Sequence, residues 1–277
     1  MKDLKHLIYF ESLLENANNE LVQKAQAEGN LALGYTCYHV PEALLNVGNC
    51  FSVRLRAPNT GSIDIATYYM SNYTCEFARA LVERGIEGGY QFLDAMIGVD
   101  ACSMMNRAME HFEILKVNDK PNFFVTHCDI PYKITDYTLD SYVKQMRIHV
   151  LDKLTEVYGV DTSDAAIRQA VAEHNEVCSI VSEMAEMRKA ENPVITGYEF
   201  HVINLVTYVC PKALILPYLR ETLKELKKRK PDEKSPFRAR VAIVGSEIDD
   251  PSLTKLIEGC GALVVSDRYC FGSTPGR

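Results

Sequence analysis

The chain has 277 residues, of which 47% are hydrophobic, a composition typical of a globular protein large enough to bury one or two cores. Its 30 basic and 37 acidic residues give a net charge of −7, which argues against nucleic acid or an anionic membrane as the main partner. Because no run of about 18 apolar residues occurs and the first residues are charged throughout, we expect neither a membrane span nor a secretory signal. These features predict a cytoplasmic protein.

Nine cysteines are many for such a chain, and their odd number, with no secretory signal, disfavours a disulfide framework. Metal binding or redox chemistry is the sharper hypothesis. The sequence contains neither a C-x-x-C nor an H-E-x-x-H motif, which argues against a zinc ribbon, a ferredoxin-like run and a zincin helix. Any metal site must therefore be assembled from cysteines that lie far apart in the sequence.

The first half of the chain predicts alternating helices and strands. Apolar residues at helical spacing predict one helix over 3–28 and, later, helices over 75–85 and 104–112. Short apolar runs bounded by turn residues predict strands, and these cover 31–36, 50–55, 94–99 and 121–127. Strands that alternate with helices imply a parallel sheet with right-handed crossovers.

Two of the predicted helices have a cysteine at or just before their start. Cys102 lies at the turn between a buried strand and the helix that follows, and Cys75 lies in the first turn of its helix. Open α/β sheets carry their chemistry at such turns, and a helix N-terminus favours the thiolate that binds iron or zinc. The alternative is that these are buried cysteines that act as small hydrophobic residues.

A third turn, over 37–42, joins the first strand to a predicted helix start. Four side chains at this turn could reach a ligand: Tyr35, Tyr38, His39 and Glu42. His39 could instead be a hydrogen-bonded structural residue, and Glu42 could be an acid that complements a helix N-terminus.

From residue 136 the pattern becomes helical. Long helices are predicted over 138–158, 163–191, 197–209 and 211–229, and residues 231–236 read as a linker. Strand patterns return over 240–245 and 261–265, with a helix start at 250–253 between them, and Cys270 lies just beyond the last strand.

The predicted fold class is therefore α/β. It comprises a parallel Rossmann-like sheet domain over 1–135, a helical subdomain over 136–236 and the beginning of a second α/β domain over 237–277.

Five segments together resemble the 2-hydroxyacyl-CoA dehydratase and benzoyl-CoA reductase family. They are GYTCYHVPEALLNVG at 34–48, SNYTCEFAR around Cys75, VDACSMMNRAMEHF around Cys102, ENPVITGYEF at 191–200, and the stretch 238–273. The resemblance covers almost the whole chain in the family's order. It implies a subunit that holds one 4Fe-4S cluster on three cysteines, and by residue that role falls to Cys75, Cys102 and Cys270. The other six are predicted not to be ligands: Cys37, Cys50, Cys128, Cys178, Cys210 and Cys260.

The resemblance also implies the chemistry and the partners. In the family, one iron stays open beside an acyl-CoA substrate, and an ATP-hydrolysing activator protein with its own cluster delivers a strongly reducing electron. The resulting ketyl radical on the thioester allows water to leave a 2-hydroxyacyl-CoA. The active assembly is a heterodimer with a second, homologous subunit. In this scheme Glu42 is predicted to be catalytic, and Tyr35, Tyr38 and His39 are predicted to bind the substrate.

Two features depart from the family pattern. Ser103 follows the middle cysteine, where members commonly have aspartate, so the contacts beside Cys102 are expected to differ. Family subunits also continue beyond the point where this chain stops, which predicts a truncated subunit. Three alternatives stay open: a benzoyl-CoA reductase-like subunit, a non-catalytic partner that carries a cluster, and a zinc-binding or purely structural role for the cysteines.

Overall fold

The structure is a computed structural model that describes residues 3–58, 60–232, 237–245 and 247–273. It confirms the α/β class. The elements in chain order are α1 (Leu7–Leu14), α2 (Glu20–Ala27), β1 (Leu31–Tyr35), a 3-10 helix (Glu42–Asn46), β2 (Cys50–Arg54), α3 (Asp64–Tyr69), α4 (Glu76–Ile86), β3 (Ala95–Val99), α5 (Ser103–Ile114), β4 (Phe124–Cys128), α6 (Asp136–Met146), a π-helical segment (Arg147–Asp152), α7 (Lys153–Tyr158), α8 (Asp164–Met187), α9 (Gly197–Val209), α10 (Lys212–Leu226), β5 (Ala239–Val244), α11 (Ser252–Gly259) and β6 (Ala262–Arg268).

These elements form two compact units. The sheet unit comprises Val22–Ala172, and the split unit comprises Met1–Leu21 together with Glu173–Arg277. The three-part domain division, with boundaries after residues 135 and 236, stays a prediction.

The sheet unit is built on four parallel strands in the order β2-β1-β3-β4. Every residue of β3 is buried, as expected of a parallel strand that helices cover on both faces. Close packing explains Gly34 in β1, since a Cβ there would lie 2.7 Å from Leu93 Cδ1 and 2.8 Å from Met96 Sδ. Because the strands are parallel, their carboxyl ends lie along one edge of the sheet, which we call the carboxyl edge.

The single helix predicted over 3–28 is wrong, because α1 and α2 are separate helices. Two asparagines explain the break: Asn16 Oδ1 accepts a hydrogen bond from the Asn18 backbone N–H (2.9 Å), and Asn19 Oδ1 accepts one from the Leu21 N–H (3.1 Å). Asparagine side chains that bond the local backbone compete with helical hydrogen bonds, so the helix stops before them and restarts after them.

The split unit is built around α9, whose residues are almost all buried. A capping box starts this helix, in which Thr196 Oγ1 accepts from the Glu199 N–H (3.1 Å) and the Glu199 carboxylate accepts from the Thr196 N–H (2.9 Å). The helix packs against α1, α11 and β6, and β6 pairs in parallel with β5. Among the residues that the structure describes, no helix has the length and apolarity that a membrane span requires.

Candidate functional site

Two exposed cysteines stand at helix starts in the sheet unit. Cys75 is the N-cap residue of α4 and Cys102 is the N-cap residue of α5, and within the described chain neither thiol makes a capping hydrogen bond. Their carbonyl groups accept the first helical bonds, from the Arg79 N–H (3.1 Å) and the Asn106 N–H (2.9 Å). Each thiol therefore lies beside the unsatisfied first N–H groups of a helix, which carry partial positive charge.

Both cysteines lie at the carboxyl edge. The chain leaves β3 at Val99 and enters α5 at Ser103, so Cys102 follows the carboxyl end of β3 directly. Helix α4 runs toward the amino end of β3, which places its first turn, and Cys75, at the opposite, carboxyl end. The two helices pack side by side, and a Cβ at Gly85 near the end of α4 would lie 3.4 Å from the Phe112 ring near the end of α5. Open α/β sheets bind ligands at this edge.

The buried cysteines have different surroundings. Burial, with a smaller contribution from Asp94, raises the pKa of the Cys50 thiol to about 12. Burial, with a smaller contribution from Asp129, raises the pKa of the Cys128 thiol to about 11. Metals bind the thiolate, so a thiol that stays protonated in an apolar interior is a poor ligand. That Cys50 and Cys128 are not ligands stays a prediction.

The third predicted ligand, Cys270, belongs to the split unit, where it lies partly exposed in the turn after β6. Across residues 3–58, 60–232, 237–245 and 247–273, no group of three or more His, Cys, Asp or Glu side chains is arranged to hold a metal ion. The donor chemistry at the carboxyl edge nevertheless suits an iron–sulfur group, since Cys75 and Cys102 are exposed thiols at one edge of one sheet.

Glu42 is buried, and its side chain contacts β2. It opens the 3-10 helix after β1, and its Oε1 accepts a hydrogen bond from Ser52 Oγ in β2 (3.1 Å). Asn46 Nδ2 also donates to Ser52 Oγ (3.0 Å) and to the Glu42 carbonyl (2.8 Å). The carboxylate is thus tied to the neighbouring strand, and its catalytic role stays a prediction.

The predicted substrate-binding residues differ in exposure. The Tyr35 side chain is 1% exposed and packs in the core of the sheet unit. The Tyr38 and His39 rings lie closer to the surface, with centroids 4.2 Å apart, and the His39 carbonyl accepts a hydrogen bond from Tyr142 Oη (3.1 Å). Partial burial of the His39 ring lowers the pKa of its imidazole, which favours the neutral form. Of these three side chains, those of Tyr38 and His39 are accessible to a ligand at the surface.

Sequence reasoning missed two buried arginines at the same edge. Arg54 ends β2 with 1% of its surface exposed, and its Nε donates to the Thr36 carbonyl (3.3 Å). Arg56 is 6% exposed, and its carbonyl accepts from Tyr90 Oη (2.9 Å). The signal was available in the sequence, because a charged residue inside an apolar strand is rarely buried without a partner or a function.

Exposed aromatic side chains lie on the segments that follow β2 and β4. Tyr68 and Tyr73 are 89% and 95% exposed, and Tyr132 and Tyr137 are 89% and 83% exposed. Large aromatic side chains that are this exposed can take part in binding a ligand or another protein. These segments flank the edge that carries Cys75 and Cys102.

The sequence is similar to known proteins over most of its length. The family described as "2-hydroxyglutaryl-CoA dehydratase, D-component" matches residues 37–277. The chain is 20% identical over 269 residues to the (R)-phenyllactyl-CoA dehydratase beta subunit of Clostridium sporogenes, a match that covers 97% of this chain and 70% of the relative. It is 21% identical over 245 residues to a benzoyl-CoA reductase subunit of Thauera aromatica, covering 86% and 61%.

A third relative is the beta subunit of (R)-2-hydroxyglutaryl-CoA dehydratase of Acidaminococcus fermentans. The identity is 22% over 208 residues, which covers 74% of this chain and 54% of the relative. The chain thus spans between 54% and 70% of the lengths of these three relatives.

Proposed function

The chain belongs to the 2-hydroxyglutaryl-CoA dehydratase D-component family, and on that premise we propose that it is an iron–sulfur subunit of a 2-hydroxyacyl-CoA dehydratase-like enzyme. The proposed reaction is the elimination of water from a 2-hydroxyacyl-CoA. Two of the relatives carry the name of a dehydratase subunit. The observation that carries the proposal is the pair of exposed thiols, Cys75 and Cys102, at two helix starts on one edge of a parallel sheet.

We propose Cys75, Cys102 and Cys270 as the ligands of a 4Fe-4S cluster. Thiolates are the usual ligands of such clusters, and three of them leave one position open to water or substrate. When bound, the cluster would supply one-electron transfer, which no ordinary side chain provides.

The residues of the chain would supply binding and orientation. The N-termini of α4 and α5 would stabilise negative charge on the ligand sulfurs. Tyr38 and His39 would contact the acyl-CoA at the carboxyl edge, and Tyr35, which packs in the core of the sheet unit, would support this end of β1. Glu42 would take part in proton transfer, and its hydrogen bond from Ser52 fixes the position of the carboxylate that would do so.

The proposed partners are a second, homologous subunit and an ATP-dependent activator that delivers the electron. The relatives are named as subunits, which supports an assembly of more than one chain. The exposed tyrosines beside the carboxyl edge offer apolar area for an acyl chain or for a partner surface.

The test begins with the chain purified without oxygen. Iron and sulfide per chain are measured for wild type and for Cys75→Ser, Cys102→Ser and Cys270→Ser, with Cys260→Ser as the control because Cys260 is also exposed. We expect iron and sulfide in wild type and in the control, and a loss in each ligand variant. Dehydration of 2-hydroxyacyl-CoA is then assayed with the partner protein and activator. A wild-type chain that takes up no iron would overturn the proposal.

A second candidate is a benzoyl-CoA reductase-like role, which the similarity to the Thauera aromatica reductase over 86% of this chain favours. The same assembly, given benzoyl-CoA and the activator, would reduce the ring instead of eliminating water. Activity that is retained when Cys75 or Cys102 is replaced by serine would instead favour a non-catalytic partner role for this chain.

A further inference from the structure

The turn that carries Cys270 is anchored on both sides. It closes after β6, where the Gly272 N–H donates to the Tyr269 carbonyl (3.0 Å). Tyr269 and Phe271, the residues on either side of the cysteine, are 2% and 0% exposed, whereas Cys270 itself is partly exposed. The backbone is therefore buried at two points while the residue between them keeps access to the surface.

Both flanking rings pack against side chains of α9. The Tyr269 ring lies 5.1 Å from the His201 ring, and the Phe271 ring meets the Tyr208 ring edge-on at 6.2 Å. His201 and Tyr208 are seven residues apart on α9, and positions seven apart lie on the same face of a helix. One face of a buried helix thus holds the turn.

Asn204 lies on that same face and bonds the backbone of the turn. Its Nδ2 donates to the Phe271 carbonyl (2.9 Å) and to the Gly272 carbonyl (3.2 Å), and Tyr208 Oη also donates to the Gly272 carbonyl (3.1 Å). Asn204 is 1% exposed, so these bonds form away from water, where losing one is costly.

Asp267 closes the turn from the other side. Its Oδ1 accepts from the Ser273 N–H (2.6 Å) and from Ser273 Oγ (2.8 Å), while its Oδ2 accepts from Arg188 Nη1 (2.7 Å). The two charged side chains are nearly inaccessible, at 1% and 4%. A Cβ at Gly272 would collide with the Asp267 carboxylate, so this close approach requires glycine. One buried carboxylate therefore joins the last strand residues to the end of the turn.

We propose that Asp267 and Asn204 are positioning residues that hold Cys270 ready to bind metal before any metal arrives. The inference rests on the proposed function, because Cys270 is a ligand only if the chain holds a cluster. Buried ion pairs are costly to form, and the Asp267 carboxylate that pairs with Arg188 also accepts the two hydrogen bonds from Ser273 that bridge the turn. Preordering a ligand removes the entropy cost of fixing it during binding, and residues that orient ligands in this way strongly influence metal affinity.

The experiment compares the 277-residue, metal-free chain in wild type, Asp267→Asn, Asn204→Leu and Tyr208→Phe. Alkylation of Cys270 by iodoacetamide is followed by mass spectrometry of its peptide, with the Cys75 peptide as the internal reference. Iron per chain is then measured after anaerobic reconstitution over a range of iron concentrations. Thr222→Val is the matched control, since Thr222 is a buried residue of the split unit whose hydroxyl donates within its own helix, to the Tyr218 carbonyl.

We expect the first two variants to raise the alkylation rate of Cys270 roughly tenfold, because each removes a buried hydrogen bond or ion pair that closes the turn. Iron affinity should fall about 10–100-fold, while Tyr208→Phe should have a smaller effect of the same sign. The alkylation rate of Cys75 should be the same in every variant as in wild type. The Thr222→Val chain should equal wild type in both Cys270 alkylation and iron affinity. If Asp267→Asn does not fold, Asn204→Leu and Tyr208→Phe carry the test.

Two failures are distinguishable. A wild-type chain that takes up no iron would overturn the proposed function and with it this role. A wild-type chain that takes up iron, together with variants whose Cys270 alkylation and iron content equal those of wild type, would overturn the positioning role alone.

Discussion

The Glu258 carboxylate stabilises the split unit by accepting hydrogen bonds from three backbone N–H groups, and this contribution can be tested by substitution. Its Oε1 accepts from the Gly197 N–H (2.8 Å) and the Val264 N–H (3.0 Å), and its Oε2 accepts from the Tyr198 N–H (3.1 Å). Gly197 and Tyr198 are the first two residues of α9, whose N–H groups have no partner within the helix. A negative charge there also complements the helix dipole.

The expected loss follows from these contacts. A hydrogen bond to a charged group contributes about 1.5–3 kcal/mol, and Glu258 is half-buried, so water replaces part of what Glu258→Ala removes. We expect Glu258→Ala to lower the free energy of unfolding by about 2–4 kcal/mol. Glu258→Gln keeps one acceptor oxygen but turns an amide donor toward a backbone N–H, so its loss should be about half as large.

Urea unfolding followed by circular dichroism at 222 nm measures this loss, a suitable probe because the chain has no tryptophan. Hydrogen exchange of the peptide that begins at Thr196 localises it to the start of α9. Glu15→Ala is the control, since Glu15 is an exposed acid of the same unit at the end of α1, and its effect should stay within about 0.5 kcal/mol. An alanine variant at 258 as stable as this control, with unchanged exchange at α9, would refute the reasoning.

Three further outcomes are expected. Brief alkylation of the native chain at pH 8 should label the exposed thiols of Cys75, Cys102 and Cys260 and spare the buried thiols of Cys50, Cys128 and Cys210. Peptide mapping that finds the reverse would contradict this difference in burial. Burial raises the pKa of Cys50 to about 12 and of Cys128 to about 11, from an ordinary 9.0, so the unfolded chain releases these protons first as pH rises. The contribution of these two thiols to stability toward urea should be full below pH 9 and decline above it, and the decline should be less steep in Cys128→Ala. A stability that stays constant up to pH 11 would count against the burial of these thiols. Gly34→Ala should cost about 1–3 kcal/mol by forcing a methyl group against Leu93 and Met96, whereas Gly61→Ala, whose Cβ would meet no heavy atom of the described residues within 4 Å, should be neutral by the same urea measurement.

Local patterns were sufficient to predict the α/β class and the four strands of the sheet unit. Helix α9 covers the predicted residues 197–209, because the helical pattern that predicts it lies within the segment itself. The four parallel strands followed from apolar runs between helical patterns. Cys75 and Cys102 lie at helix starts for the same reason, since both the helix period and its first residue are local properties.

Contacts between distant residues decided the rest. From the sequence, Glu42 could equally be an acid that complements a helix start or a catalytic group. Only the pairing of β1 with β2 brings Ser52 to its carboxylate. Cys270 looks like any cysteine after a strand, yet Arg188 and Asn204, 82 and 66 residues earlier, anchor its turn. A local pattern records which face of an element is apolar. It does not record which polar group of another element will be buried against it, and that pairing exists only once the chain has folded.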